Sequence, residues 1–174
     1  MRYLVLALLC ACGGGGAAGA QASAPSAATE SGPVPSGWAV IEEPTFSARI
    51  PAGFQTRNQL GGREFVATKD GIAYTVKHRT IEPELDGQVE KVFEMASEAF
   101  FRDCRGGRLR TQRADTLEHK TVTVDGTCGR GKPAMGQVHV HGRDVFELYI
   151  VVMEDRMDEE ALRAFFRAFR VKSA

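Results

Sequence analysis

The sequence predicts an α+β fold, an antiparallel sheet covered by two helices in an α/β/α sandwich. Three observations carry that expectation. Segments of period two and segments of helical period follow one another in the order strands, helix, strands, helix, and the strand connections are of hairpin length, which implies antiparallel pairing. Asp70-Gly71 stands between two such segments, 64–69 and 72–80. A type I′ turn needs positive φ at both central residues, and Asp-Gly supplies it. Finally, Val145-Phe146-Glu147-Leu148-Tyr149-Ile150-Val151-Val152 is apolar on both parities. A strand of that kind has no face to give to water, so a helix is expected on each side of the sheet.

The elements follow in order. Trp38 to Ile41 opens the domain as a short edge segment, and Pro44 interrupts it. Phe46 to Ile50 alternates and runs into a turn at Pro51-Ala52-Gly53-Phe54, with a second break at Gly61-Gly62. In the hairpin, Ile72, Tyr74 and Val76 face one way and Ala73 and Thr75 the other. Asp86 is placed to cap a helix from about Gly87 to Arg102, whose stripe is Val89, Val92, Phe93, Ala96 and Phe100. Residues 103–115 are rich in Arg and Gly and read as a loop. Strands are expected over 117–124 and 134–141, joined around Asp125-Gly126 and residues 129–133. His141-Gly142-Arg143 then turns into the apolar run. Asp155 or Asp158 caps a last helix reaching Arg170, with Leu162, Phe165, Phe166 and Phe169 on its buried stripe.

Phe46-Ser47-Ala48-Arg49-Ile50-Pro51-Ala52-Gly53-Phe54 resembles the opening of PsbP-like and DcrB-like domains. The hairpin at Gly71-Ile72-Ala73-Tyr74 and the closing Ala164-Phe165-Phe166-Arg167-Ala168-Phe169-Arg170 are similar to that group as well. The resemblance spans most of residues 38–172. It implies a PsbP-like fold, an extracytoplasmic setting and an accessory role, and it brings no active site with it.

The first 36 residues carry a different kind of signal. Arg2 precedes a short apolar segment, Tyr3 to Leu9, and Leu9-Cys10-Ala11-Cys12 resembles a bacterial lipobox. Cys12 is the expected acylation site. Cleavage there leaves small Ala11 at the cut, whereas cleavage before Cys10 would leave bulky Leu9. An ordinary secretory signal cut after Ala18-Gly19-Ala20 is the alternative. Gly13 in place of an aspartate after the lipidated cysteine points to the outer membrane rather than retention at the inner one. Residues 12–36 are almost devoid of large apolar side chains and read as a flexible Gly/Ala/Ser/Pro tether. The expected organisation is therefore signal peptide 1–11, tether 12–36 and one domain over 37–174.

Composition narrows the function classes. The chain has 174 residues, 43% hydrophobic, with 22 basic against 22 acidic residues and a formal net charge of +0. That balance gives no overall attraction to nucleic acid, so any electrostatic partner has to be read by a local patch. Beyond the leader no apolar run approaches the ~18–20 residues of a transmembrane helix. No GxSxG, HExxH, phosphate-loop or dinucleotide fingerprint occurs, and no cofactor is expected.

Three constellations remain. Cys104 and Cys128 are an even pair in an exported domain and are expected to form a disulfide, whose closed loop constrains the unfolded chain by roughly 3 kcal/mol. Arg105, Arg108 and Arg110, with Arg102 and Arg113 in the same stretch, form a candidate anion-binding patch together with Arg130 and Lys132. Guanidinium forks suit phosphate and carboxylate, so an anionic lipid or an acidic envelope protein is the partner class. The alternative is a solvated loop whose arginines pair with neighbouring acids. His139 and His141 share one face of their strand, with His119 on the exposed parity of the strand before it. They are either plain surface histidines or a zinc- or copper-handling face. The reading that follows is a lipid-anchored cell-envelope protein with a non-enzymatic binding or accessory domain, the metal- or small-molecule-handling protein being the alternative.

Overall fold

The computed structural model describes residues 33–103, 110–115, 120–128, 131–153 and 159–172. The chain divides into two units, Met1–Glu30 and Ser31–Ala174, and every described residue belongs to the second. Its strands are β1 (Trp38–Glu42), β2 (Phe46–Pro51), β3 (Gln55–Gln59), β4 (Gly62–Lys69), β5 (Ile72–Thr80), β6 (Arg110–Asp115), β7 (Lys120–Cys128), β8 (Lys132–His141), β9 (Asp144–Val152) and β10 (Arg170–Val171). Helix α1 is Val89–Asp103 and α2 is Glu159–Arg167. Seven strands form one sheet in the order β3-β4-β5-β9-β8-β7-β6, and β1-β2-β10 form a second, smaller one. All neighbours pair antiparallel.

Local sequence explains the hairpins. Asp70 has φ 50° and Gly71 φ 70°, with Lys69 paired to Ile72, which is the type I′ geometry the Asp-Gly pair prescribes. Gly142 and Arg143 link β8 to β9, with His141 opposite Asp144 and Gly142 at φ 56°. These short turns keep β4, β5, β8 and β9 in continuous register, so the side-chain parity of each is preserved from end to end.

The two faces of the large sheet are covered differently. Strand β9 lies at its centre. Phe146, Leu148 and Ile150 project into one core, with Tyr74 and Val76 of β5, Phe46 and Ile50 of β2, and Leu162 and Phe165 of α2. Val145 and Tyr149 project into the other, with Val92, Phe93, Ala96 and Phe100 of α1 and the valines 122, 124, 138 and 140 of β7 and β8. One face is therefore covered by α1. The other is covered by α2 together with the small sheet, a layer beyond the two helices expected. Phe46 is fully buried at the meeting point of β2, β5 and β9, with its ring 5.3 Å from Phe146, 5.9 Å from Phe169 and 6.2 Å from Phe65.

Several expectations are corrected. Residues 110–115, read as loop, form β6 and pair with β7 along their whole length. Residues 55–59, not assigned to any element, form β3. Neither segment has an apolar alternation in its sequence, and each is held in the sheet by backbone pairing. Asp125-Gly126 lies inside β7, paired with Met135 and Ala134, and is not the turn. Asp86 does not cap α1. It closes a 3-10 turn over Pro83–Leu85, its N–H donating to Pro83 O at 3.1 Å, and α1 begins after Gln88, whose carbonyl accepts from Val92 N–H. Helix α2 ends at Arg167, so Phe169 reaches the core from the segment after it and Arg170 pairs with Ser47 in β10. Asp155 and Asp158, the caps expected for α2, lie outside the described residues, as do the signal and the tether up to residue 32. The last four residues assigned to the tether, Pro33 to Ser36, lie against the domain, with Pro33 O accepting from Arg49 Nη1 at 3.2 Å and Ser36 O from Lys69 Nζ at 3.3 Å.

Gly136 faces Tyr149 across the β8–β9 ladder, and the Tyr149 ring stacks on Phe100 of α1 at 4.4 Å. A Cβ on Gly136 would stand 2.6 Å from Tyr149 Cδ1. Gly136→Ala should therefore destabilise by about 1–3 kcal/mol through forced movement of that ring. Phe46→Ala should cost about 3–5 kcal/mol by leaving a cavity between the two sheets. Urea unfolding curves of both variants against the parent check these values.

Candidate functional site

On the α1 side of the large sheet the helix packs over β7 and β8. The same face of β3, β4 and β5 carries Arg57, Glu64, Lys77 and Arg79 beside the smaller Val66 and Ala73. Arg57, Glu64, Lys77 and Glu147 are successive register partners across β3, β4, β5 and β9. They form a row of alternating sign, the favourable arrangement for directly opposed side chains. Glu64 Oε1 lies 3.4 Å from Lys77 Nζ and its Oε2 3.8 Å from Arg57 Nη1.

Glu147 is the charged residue within the apolar run 145–152 of β9, and it is only 3% exposed. A buried carboxylate is tolerated when charge and hydrogen bonds compensate its lost hydration. Arg79 Nε donates to Oε1 at 2.9 Å and Tyr149 OH donates to Oε2 at 2.8 Å. Tyr149 also receives Lys77 Nζ over its ring at 5.7 Å from the centroid. Where α1 leaves the sheet uncovered, a cleft of about 350 Å³ opens between Lys77, Arg79 and Glu147 on the sheet and Met95, Glu98 and Ala99 on α1, with Gln59 at one end. It mixes both signs of charge with the apolar surface of Met95 and Ala99. Such a lining can hold a small polar ligand by hydrogen bonds and ion pairs. A second cleft of about 330 Å³ lies between α2 and the β4–β5 hairpin, lined by Trp38, Lys69, Asp70, Tyr74, Glu160 and Ala164 among others. Trp38 meets Tyr74 there edge-on at 5.3 Å.

The residues singled out from sequence fall elsewhere. Cys128 ends β7 and is buried, while Cys104 lies outside the described residues. Arg105, Arg108, Arg130 and Cys12 also lie outside them. Arg110 opens β6 opposite Asp125, so it belongs to a paired strand and not to a loop. Lys132 opens β8, exposed and opposite Cys128. His139 and His141 do share a parity, but that parity faces the small-sheet side. His139 is 8% exposed, its Nδ1 lies 3.0 Å from Thr121 Oγ1 and its ring packs 4.7 Å from Phe169. An exposed histidine face is thus corrected to a core histidine beside a half-buried one. The remaining member, His119, is outside the described residues, among which no group of three or more His, Cys, Asp and Glu could hold a metal ion.

Two features escaped the sequence reading. The Arg79–Glu147–Tyr149 cluster had one visible signal, a glutamate inside an otherwise apolar run. His78 Nε2 lies 2.9 Å from Asp144 Oδ1, and its ring stacks on Phe146 at 5.0 Å. Nothing local announces that pair, which joins residues 66 positions apart.

No protein-family model matches the chain, and no curated protein does. Among solved structures, the chain is similar in fold to the solution structure of cyanobacterial PsbP (CyanoP) from Synechocystis sp. PCC 6803, at 13% identity and a TM-score of 0.56, over 78% of this chain and 93% of that one. A weaker likeness, with a TM-score of 0.42 and 12% identity over 77% of this chain and 95% of the other, is to the Ran-binding protein Mog1p of Saccharomyces cerevisiae. The fold is a PsbP-like α+β sandwich. Among the described residues no helix is long and apolar enough to cross a membrane.

Removing one member of the buried cluster tests its part in the fold. Arg79→Ala should lower stability by about 2 kcal/mol, less than the ~3–5 kcal/mol of a fully buried pair because Arg79 is one-third exposed. Arg79→Met with Glu147→Leu should lose less than Arg79→Ala alone, since no carboxylate is then left buried. Guanidinium unfolding of the three proteins measures both differences.

Proposed function

We propose that the chain is a cell-envelope protein, held at the periplasmic face of the outer membrane by a lipid on Cys12, with a non-enzymatic accessory or binding domain over residues 37–174. The observation that carries the anchor is Leu9-Cys10-Ala11-Cys12 followed by a spacer of small and polar residues. The PsbP-like fold supports an accessory domain, because its likeness is to a protein named for PsbP.

The charged cleft beside α1 favours one refinement, a small polar ligand held between Arg79, Lys77 and Glu98. In the basic patch, Arg105, Arg108 and Arg130 are the part that meets anionic lipid headgroups, with Arg110 and Lys132 contributing from strand ends. The proposed bridge from Cys104 to Cys128 would tie the two basic segments together.

Metabolic labelling with a palmitate analogue should mark the mature protein, and Cys12→Ser should abolish the label while Cys10→Ser leaves it. An unlabelled mature chain beginning near Gln21 would show an ordinary secretory signal instead. Peptide mapping without reductant should recover Cys104 joined to Cys128. Detection of Cys104 as a free thiol in exported protein would remove the link between the basic segments.

A further inference from the structure

The outer edge of the large sheet at β3 has the geometry of a docking site. The phase of the ladder locates its outward-facing backbone. Thr80 N–H donates to Gly61 O at 3.0 Å, and Lys69 and Ile72 flank a two-residue turn, so residues 61, 63, 65, 67 and 69 turn their backbone groups toward β5. Val66, Glu64 and Gly62 therefore turn theirs toward β3, where they meet Gln55, Arg57 and Gln59. By alternation, Thr56 and Asn58 direct N–H and C=O away from the sheet.

All five residues of β3 are exposed. Edge strands are commonly protected by short length, by charged side chains, Lys above all, or by Pro, a bulge or a covering element, and of these β3 has its five-residue length and one charge, Arg57. Gln55-Thr56-Arg57-Asn58-Gln59 has no Pro or Lys, its register with β4 is unbroken, and among the described residues β3 pairs with β4 alone. Leu60, at the end of the strand, is 103% exposed.

Charge states what would pair there. Glu64 serves two cations, Arg57 and Lys77, while Glu147 is taken up by Arg79. The alternating row thus ends at the sheet edge on Arg57, whose side chain is 60% exposed. A strand added antiparallel would exchange hydrogen bonds with Thr56 and Asn58. That puts Arg57 in the non-hydrogen-bonded pair, where opposed side chains approach most closely. A second copy of β3 in the full register would set Arg57 against Arg57 in that close pair, and like charges directly opposed are destabilising.

We propose that the β3 edge binds an extended polypeptide strand of a partner protein, with an acidic side chain opposite Arg57 and apolar contact at Leu60. Backbone pairing at Thr56 and Asn58 supplies the attachment, and Arg57 selects the partner's charge. This inference does not depend on the lipid anchor.

The probe is a fluorescent peptide of alternating Thr and Val with a central Glu, compared with its central-Lys counterpart, titrated against the full-length chain in detergent and read by anisotropy. The Glu peptide should bind about fivefold more tightly than the Lys peptide at low salt, the scale of one opposed charge pair. Arg57→Glu should reverse that order. Asn58→Pro removes an N–H that β4 does not use, and should abolish binding of both peptides. Should Asn58→Pro unfold the protein, the reversal in Arg57→Glu still decides. Amide exchange at Thr56 and Asn58 should slow when the Glu peptide is bound. Failure of the Glu peptide to bind, or equal affinity for the two peptides, overturns the proposal. Slow exchange at Thr56 and Asn58 in concentrated protein without peptide overturns it too, since it would mean that a second copy occupies the edge.

Discussion

Strand β9 has no face to offer to water, and most of the architecture answers that constraint. Its alternate residues point into two separate cores, so two covering layers are required, and the strand sits in the middle of the seven-stranded sheet, where both can reach it. Helix α1 supplies one layer with Val92, Phe93, Ala96 and Phe100. The other is assembled from chain ends far apart in sequence. β1 and β2 come from the start of the domain and α2 and β10 from its end, and they meet through pairing of Arg170 and Val171 with Ser47 and Phe46. Phe46, at that junction, touches aromatic rings from β4, β5 and β9.

Neither cover spans the whole sheet, and the uncovered area is where charge appears. Beyond the reach of α1, the row Arg57–Glu64–Lys77–Glu147 takes over from the valines of β7 and β8. Glu147 lies at the boundary between these regimes. It shares a strand face with Val145 and Tyr149, which are core, yet its neighbours across the ladder are Lys77 and, one step along, Arg79. The Tyr149 hydroxyl completes its coordination while the same ring packs on Phe100. One aromatic side chain thus links the apolar and charged halves of the face, and Gly136 is required opposite it because no Cβ fits there.

Edge and interior strands differ in how visible they are before folding. β5 and β9 announce themselves, because burial of alternate or all side chains demands an apolar pattern. β3 and β6, with the sequences Gln-Thr-Arg-Asn-Gln and Arg-Thr-Gln-Arg-Ala-Asp, carry no such pattern, since backbone ladders hold them and backbone groups are the same in every residue. Position within an element is obscured in the same way. Asp86 has the side chain of a helix cap, yet Pro83 and Gly87 divert the chain into a 3-10 turn before α1 starts. His139 reads as a surface residue by polarity, and it becomes a core residue because Thr121 stands opposite it and Phe169 folds over it.

What the sequence determined by itself is what depends on neighbours along the chain. Positive φ at Asp70 and Gly71 set the hairpin, the stripe 92–93–96–100 set the buried face of α1, and the two-sided apolar run set β9 at the centre. What only the tertiary structure decided is which distant groups share a face. The alternating charge row, the Arg79–Glu147–Tyr149 cluster and the His78–Asp144 pair each depend on β5 and β9 lying side by side in the sheet, although they are not consecutive in the chain. Pairing β5 with β9 across α1 and three intervening strands brings residues about 70 positions apart into one ladder. No local propensity encodes that choice, because it is made by the simultaneous burial of both faces of β9.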